Sequence, residues 1–303
     1  MQSRGSNRRP RISLVAAFAI VVLVGATVVA GRGLIVFERA GRADSRPLSG
    51  PTLAVRTPTP RPTATPPDVA PQMTALAAGL PAGSVSVAAQ NLDTGVAFTF
   101  GSMSGQTTGS IVKLDIIETL LLQHQDSDTP LTDDEDGNAT LMIEDSDNDA
   151  ATDLYIAVGA ADGLTAANQT LGVPCTVPGG DDYWGLTTTC AQGQTRLLDQ
   201  LESAASPLDT SSQAYILNLM ENVLGSQQWG VPVTADRGTS FAVKDGWLNL
   251  EGDTDWAINS DGIVTHHGQR LLLSVLSQNN STMAAGVTLD QKLARLAAKS
   301  VTT

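Results

Sequence analysis

Three short segments of the chain carry residues that together could perform acyl transfer. They are Ser110-Ile-Val-Lys113, Ser146-Asp147-Asn148 and Lys244-Asp245-Gly246, in that order along the sequence. A serine hydroxyl attacks a carbonyl group only when a neighbouring base takes its proton. An amine can be that base when burial or a second cation lowers its pKa. Lys113 fits the role of the base, and Lys244 fits that of the second cation.

The spacing of Ser110 and Lys113 predicts that both lie on one face of a helix, about one turn apart. Apolar residues recur at helical spacing from Ser110 to Gln125, which predicts a helix with Ser110 in its first turn. Unpaired backbone N–H groups there favour negative charge, so Ser110 is the expected nucleophile. The N–H groups of Ser110 and Trp247 are the expected oxyanion hole.

The second and third segments supply the other predicted site residues. Ser146 is expected to relay a proton between Lys244 and the leaving group. The predicted catalytic residues are Ser110, Lys113, Ser146 and Lys244. The predicted substrate-binding residues are Asn148, whose amide would hydrogen-bond the substrate, Asp245, Gly246, which lets a substrate backbone lie close, and Trp247.

At these segments the chain resembles the serine β-lactamase and penicillin-binding protein superfamily, in particular its class A-like branch with the signature S-x-x-K, S-D-N and K-T-G. The resemblance covers roughly Met73 to the C-terminus. Residues 186–189 resemble the end of the family's omega loop, and residues 256–265 resemble the strand pair after K-T-G. The implied fold is α+β and β-lactamase-like, with an antiparallel sheet formed by both ends of the domain and an inserted helical lobe.

The sequence departs from the family pattern at two places. Asp245 stands where the family has a hydroxyl residue that binds the β-lactam carboxylate, and a carboxylate there would repel an anionic substrate. The family's omega-loop glutamate, which activates the deacylating water, has no counterpart between residues 171 and 189. Asp181 and Asp182 are the only carboxylates in that stretch. Deacylation is therefore expected to be slow or to follow another route.

The motifs and the resemblance imply an extracytoplasmic serine acyl hydrolase that opens a β-lactam-like amide through an acyl-enzyme. A peptidoglycan-directed D,D-peptidase or transpeptidase is an alternative, because it needs the acylation residues but not the missing glutamate. A catalytically inactive, membrane-tethered binding module with the same fold is another. The expected partners are a small-molecule β-lactam or a peptidoglycan stem peptide, and the expected oligomeric state is a monomer.

The charge of the chain is divided unevenly between its ends. Residues 1–72 carry ten basic and three acidic side chains, while the remainder carries eight basic and 28 acidic ones. The acidic remainder is expected to repel nucleic acid. Only four lysines occur after Met73, and two of them fall in the motifs.

No cofactor is expected. His266 and His267 precede Gly268 and are predicted to form a hairpin turn rather than a metal site.

The N-terminal region predicts attachment to a membrane. Residues 1–11 are basic and are predicted to be a cytoplasmic N-terminus, and residues 12–31 are uncharged and apolar. At about 1.5 Å per residue such a helix just crosses a hydrocarbon core of about 30 Å. The segment is predicted to be a single-pass anchor, or a signal cleaved near Ala30 that leaves a secreted protein. Residues 32–72 are predicted to form a Pro/Thr-rich extracytoplasmic linker, and residues 73–303 the β-lactamase-like domain.

The remaining predictions concern one covalent link and the secondary structure. Cys175 and Cys190 are the only cysteines, and they bracket the omega-like loop. An oxidising exterior predicts a disulfide between them, the alternative being two free thiols. Patterning predicts strands at residues 84–91, 96–100, 241–250, 255–265 and 270–277, and further helices at residues 212–224 and 288–299.

Overall fold

The computed structural model describes residues 65–180, 183–250 and 255–303. The predicted membrane segment at residues 12–31, most of the predicted linker, and both Asp181 and Asp182 lie outside these ranges. Within the described ranges no helix is long and apolar enough to cross a bilayer.

One five-stranded antiparallel sheet forms the framework of the domain, with the strand order β2-β1-β7-β6-β5. Its strands are β1 (Val85–Asn91), β2 (Ala97–Gly101), β5 (Ala242–Asn249), β6 (Trp256–His266) and β7 (Gln269–Asn280). The N-terminal strand β1 pairs with β7, so both ends of the domain meet in this sheet, as predicted. A second small sheet pairs β3 (Gln106–Thr107) with β4 (Thr188–Thr189).

The predicted hairpin turn is also present. β6 ends at His266 and β7 begins at Gln269, leaving His267 and Gly268 as the turn. Both turn residues have positive φ, 50° and 74°. Two such residues give the strands the relative twist that a two-residue hairpin requires, and Gly268 adopts this conformation without a steric cost.

The described residues contain eight α-helices. They are α1 (Ala70–Ala77), α2 (Val112–Asp126), α3 (Asp133–Thr140), α4 (Asn148–Ala157), α5 (Ala160–Leu171), α6 (Ala191–Glu202), α7 (Thr210–Glu221) and α8 (Met283–Val301). Helix α1 was not predicted, and it begins ahead of the predicted domain boundary at residue 73. Helix α8 is longer than predicted because Thr282 caps its N-terminus by accepting a hydrogen bond from Ala285 N.

Helix α2 lies at the centre of the helical lobe. Every residue from Val112 to Leu122 is buried, including Lys113, Asp115 and Glu118. Its apolar side chains pack in one core with those of α4, α5, α6 and α7, while α1 and α8 enclose a second core against the other face of the sheet. A helix enclosed on all sides holds its first turn in a fixed position, and the 3-10 turn that leads into it carries Ser110, which therefore lies just ahead of α2 rather than in its first turn as predicted.

Several carboxyl groups lie inside these cores. Asp115 and Glu118 on α2, Asp261 on β6 and Asp290 on α8 are all buried. Burial raises the pKa of Asp115 to about 7 and that of Asp261 to about 8. Burial also raises the pKa of Glu118 and of Asp290. These groups are therefore largely protonated in the folded protein at mildly acidic pH.

We expect the free energy of unfolding to fall as pH rises from about 5 to about 7. The unfolded chain releases these protons near the ordinary carboxyl pKa, whereas the folded chain retains them, so a higher pH favours unfolding. Urea unfolding at the two pH values measures the difference. Asp115→Asn should reduce the difference in unfolding free energy between the two pH values. Asparagine stays neutral and can still accept the hydrogen bond that Asn168 donates to Asp115. Asp126→Asn, at the exposed end of α2, is the control and should leave it unchanged. An unfolding free energy that rises over this interval would contradict the prediction.

The predicted disulfide between Cys175 and Cys190 is confirmed, with the two Cα atoms 5.9 Å apart. It closes a loop that contains β4 near its C-terminal end. Removing it as the double variant Cys175→Ala/Cys190→Ala is expected to lower the unfolding free energy by about 3 kcal/mol, because a closed loop of this length restricts the unfolded chain. Chemical denaturation of the variant and of oxidised wild type tests this. Equal midpoints would refute it.

Candidate active site

Ser110 lies in a 3-10 turn, Gly109–Ile111, that runs directly into α2. It is partly exposed and lines a cavity of about 390 Å³ together with Asn148, Trp184 and Trp247. Gly109 has a φ of +52°, and a Cβ atom there would lie 3.0 Å from the Trp247 carbonyl oxygen. Glycine at this position therefore lets strand β5 pack directly against the nucleophile turn.

Strand β5 is an edge strand of the main sheet, so one of its edges is free to face the nucleophile turn. A Cβ atom on Gly246 would lie 2.7 Å from Ile111 N and 2.9 Å from Ser110 N. The missing side chain of Gly246 therefore lets the turn that carries Ser110 pack closely against β5. The sequence had predicted that a substrate backbone would lie there. Ser110 and Trp247 thus have neighbouring main chains, the arrangement that a shared oxyanion hole needs.

The Ser146 segment lies where one helical stretch ends and another begins. A π-helical turn, Leu141–Asp145, ends at Ser146, whose φ of 57° is left-handed. Such turns and such backbone angles in a residue other than glycine are concentrated at functional sites. Asp147 then caps α4 by accepting a hydrogen bond from Ala150 N at 2.8 Å, and Asn148 is the first residue of that helix.

The two lysine amines converge on the Ser146 hydroxyl. Lys113 Nζ donates to Ser146 Oγ at 3.1 Å, to Ser146 O at 2.7 Å and to Asn148 Oδ1 at 2.9 Å. Lys244 Nζ donates to Ser146 Oγ at 3.1 Å and to its own neighbour, Asp245 O, at 3.2 Å. Within the described part of the chain none of these bonds goes to Ser110. A buried ammonium group must have its protons hydrogen-bonded, and Ser146 supplies that for both lysines.

Both amines have pKa values well below that of an ordinary lysine. Burial, and then the charge of Lys244, lowers the pKa of Lys113 to about 7, against a smaller opposing effect of the Asp147 carboxylate. Burial lowers the pKa of Lys244 to about 8, and the Asp245 carboxyl group opposes this. At neutral pH a substantial fraction of Lys113 is therefore an uncharged amine that can accept a proton.

Asp245 lies away from the cavity. Its side chain is fully buried, and Oδ2 accepts a hydrogen bond from Trp229 N at 2.9 Å. Burial raises its pKa well above the usual value for a carboxyl group. Trp229 in turn contacts the Trp247 ring, with the ring centroids 6.4 Å apart. The carboxyl group thus holds the segment behind Trp247, whereas the sequence predicted contact with the substrate.

Two residues that the sequence did not single out also shape the site. Asn259, on β6, donates through Nδ2 to Thr107 O and Thr108 O, both at 2.9 Å, and so holds the chain that leads into the nucleophile turn. The Trp184 ring covers the Lys113 amine at 4.8 Å from the ring centroid, and its Nε1 donates to Thr152 Oγ1 at 3.1 Å. An asparagine inside a strand is unfavourable, which was a usable signal for Asn259. Nothing in the sequence indicated the role of Trp184.

Solved structures of known proteins share this fold. PBP-A superimposes with a TM-score of 0.64 at 20% identity, over 75% of this chain and 93% of its own. A class A β-lactamase from Mycobacterium abscessus superimposes with a TM-score of 0.63 at 15% identity, over 77% of this chain and 98% of its own. A PBP-A variant solved as its acyl-enzyme complex with penicillin G superimposes with a TM-score of 0.64 at 19% identity, over 75% of this chain and 94% of its own. These likenesses establish the β-lactamase-like fold.

Sequence comparison gives a more specific assignment. A protein of Mycobacterium tuberculosis and Mycobacterium bovis named "Putative lipoprotein LppW" is 26% identical over 215 residues, which is 69% of this chain and 68% of the relative. The model of the β-lactamase enzyme family matches residues 137–301, a range that includes Ser146 and Lys244 but begins after Ser110 and Lys113. That range is more than half of the chain, so this protein belongs to the β-lactamase enzyme family.

Proposed function

We propose that this protein is a serine acyl hydrolase of the class A type, with Ser110 as its nucleophile and a β-lactam-like amide as its substrate. The observation that supports this most strongly is the pair of buried amines joined to the Ser146 hydroxyl beside the nucleophile turn. Their lowered pKa values make proton transfer at neutral pH accessible, which an exposed lysine does not offer.

In the proposed acylation step the neutral amine of Lys113 takes the proton of Ser110 as its oxygen attacks the substrate carbonyl carbon. The backbone N–H groups of Ser110 and Trp247 donate to the developing oxyanion. As the bond from carbon to the leaving nitrogen breaks, Ser146 gives its proton to that nitrogen and takes one from Lys244. Asn148 lines the cavity and uses its Oδ1 for Lys113, so its amide N–H₂ group is the part that faces substrate in this proposal.

Deacylation is proposed to be slow. In the described part of the omega-like loop, the Trp184 ring covers the Lys113 amine, and an indole ring cannot activate a water molecule. This feature favours a second candidate function, a D,D-peptidase or transpeptidase that passes its acyl group to an amine. The neighbour PBP-A, a variant of which is solved as its acyl-enzyme complex with penicillin G, is consistent with the acylation step that both candidates share.

We propose an extracytoplasmic, membrane-associated location. The relative LppW bears the name of a lipoprotein, but this chain has no cysteine ahead of Cys175 to carry a lipid. Residues 12–31 are the proposed anchor instead, followed by the extended linker of residues 32–72. Detergent extraction of the full chain, compared with a variant lacking residues 1–31, tests the anchor.

Labelling with a fluorescent penicillin, alongside nitrocefin hydrolysis, tests the proposed function. Stable labelling that is absent from Ser110→Ala supports acylation without rapid turnover, and rapid nitrocefin hydrolysis supports a β-lactamase. Labelling that survives in Ser110→Ala would refute the assignment of the nucleophile. No reaction with either reagent would refute the β-lactam substrate and favour the inactive binding module.

A further inference from the structure

The cavity beside Ser110 is lined by side chains without charge. Twelve described residues line it, and none of them is a lysine, arginine, histidine, aspartate or glutamate. Residues 181–182 and 251–254, which the structure does not describe, contain no lysine or arginine either. A substrate carboxylate therefore meets no exposed cation around the nucleophile.

The cations of the domain are all used or placed elsewhere. Lys113 and Lys244 are fully buried and bonded to Ser146. Arg196 pairs with Asp199 and Arg270 pairs with Glu202. The other four basic residues after Met73 line two clefts formed around α8, and they are Arg237, Lys292, Arg295 and Lys299. With a net charge of −20 on residues 73–303, the approach of an anion is also unfavourable over longer distances.

The same cavity is rich in aromatic and apolar surface. Aromatic residues make up only 4% of the chain, yet Tyr183, Trp184 and Trp247 all line this cavity. Tyr183 is 66% exposed and Leu186, also in the lining, is 48% exposed. Exposed apolar surface grouped in a concave site, with a few polar groups such as Asn148, is the usual form of a site for an apolar ligand.

We propose that the cavity selects an uncharged acyl compound with an aromatic side group, in preference to one that carries a carboxylate. This inference rests on the proposed function, because it names the substrate class of the same site. In this proposal the Trp247 ring contacts the aromatic group directly. Trp229 packs against the Trp247 ring, and Asp245 holds Trp229 through a hydrogen bond from its backbone N–H.

Penicillin G and its methyl ester form a matched pair for the test, since they share the phenylacetyl group and differ only in the charged carboxylate. Calorimetry at neutral pH measures the binding of each compound to the Ser110→Ala variant. Because this variant lacks the nucleophile, the measurement separates recognition from reaction. We expect the ester to bind at least about tenfold more tightly than the free acid. Equal or tighter binding of the acid, or no binding of the ester, would overturn the proposal.

Trp247→Ala in the same background should weaken ester binding by about tenfold, because the aromatic contact is lost. Ile156→Ala, an exposed apolar residue of α4 outside the cavity, is the matched control and should not change binding. Mass spectrometry of wild type after exposure to the ester tests the proposed function separately. Adduct formation without a preference for the ester overturns only this inference, while preferential binding without an adduct overturns only the proposed reaction.

Discussion

Replacing Lys113 with methionine is expected to slow acylation of Ser110 by about a thousandfold, the usual scale for losing a general base. Methionine keeps much of the length of the side chain in a buried site but accepts no proton. The rate of fluorescent penicillin labelling under excess reagent measures the effect, and circular dichroism verifies that the variant is folded. A labelling rate within a few-fold of wild type would show that another group takes the proton.

Two further measurements separate the base from a simple positive charge at this position. Lys113→Arg retains a cation that does not deprotonate in proteins, so it should be as slow as the methionine variant. In wild type the labelling rate should rise with pH through a midpoint near the Lys113 pKa of about 7, because the reactive form is the neutral amine. A rate that is flat or that falls over this interval would contradict the assignment.

Gly246→Ala is expected to reduce the acylation rate by about a hundredfold while leaving most of the fold intact. The added Cβ would lie 2.7 Å from both Ile111 N and Thr108 O, and 2.9 Å from Ser110 N, so the nucleophile turn must move. A displacement of about 1 Å at a reacting group has an effect of this size. The rate of labelling and the thermal midpoint together report the change.

Gly185→Ala provides the matched control for that substitution. Gly185 lines the same cavity, but a Cβ atom there would meet nothing within 4 Å. The alanine variant should therefore label at close to the wild-type rate. If both glycine variants lose activity to the same extent, the contact between β5 and the nucleophile turn does not explain the effect.

Local patterns were enough to predict much of the scaffold. The apolar spacing after Ser110 predicted α2, and His266, His267 and Gly268 predicted the hairpin turn. Such features depend on neighbours in sequence, so propensity and periodicity reveal them. Helix α1 was missed because it is short and begins within a proline-rich stretch, and its place is determined by packing of Met73 against the sheet.

The sequence proposed a set of candidate site residues but could not give their geometry. Ser146 and Lys244 are 98 positions apart, and the bond between them depends on how the helical lobe meets the sheet. The sequence therefore placed the amines at Ser110, whereas they meet at Ser146. The alternation of side chains along β5 could have shown that Asp245 points away from the cavity. Lys244 and Gly246 face one side of the strand, and Asp245 faces the other.

The most direct test of the proposed chemistry is to locate the covalent adduct after exposure of wild type to a penicillin. Trypsin cleaves after Lys113 and so places Ser110 and Ser146 in different peptides, which mass spectrometry distinguishes. We expect the acyl mass on the peptide that ends at Lys113, localised to Ser110. An adduct on Ser146, the hydroxyl that both amines contact, or on any other residue would contradict Ser110 as the nucleophile.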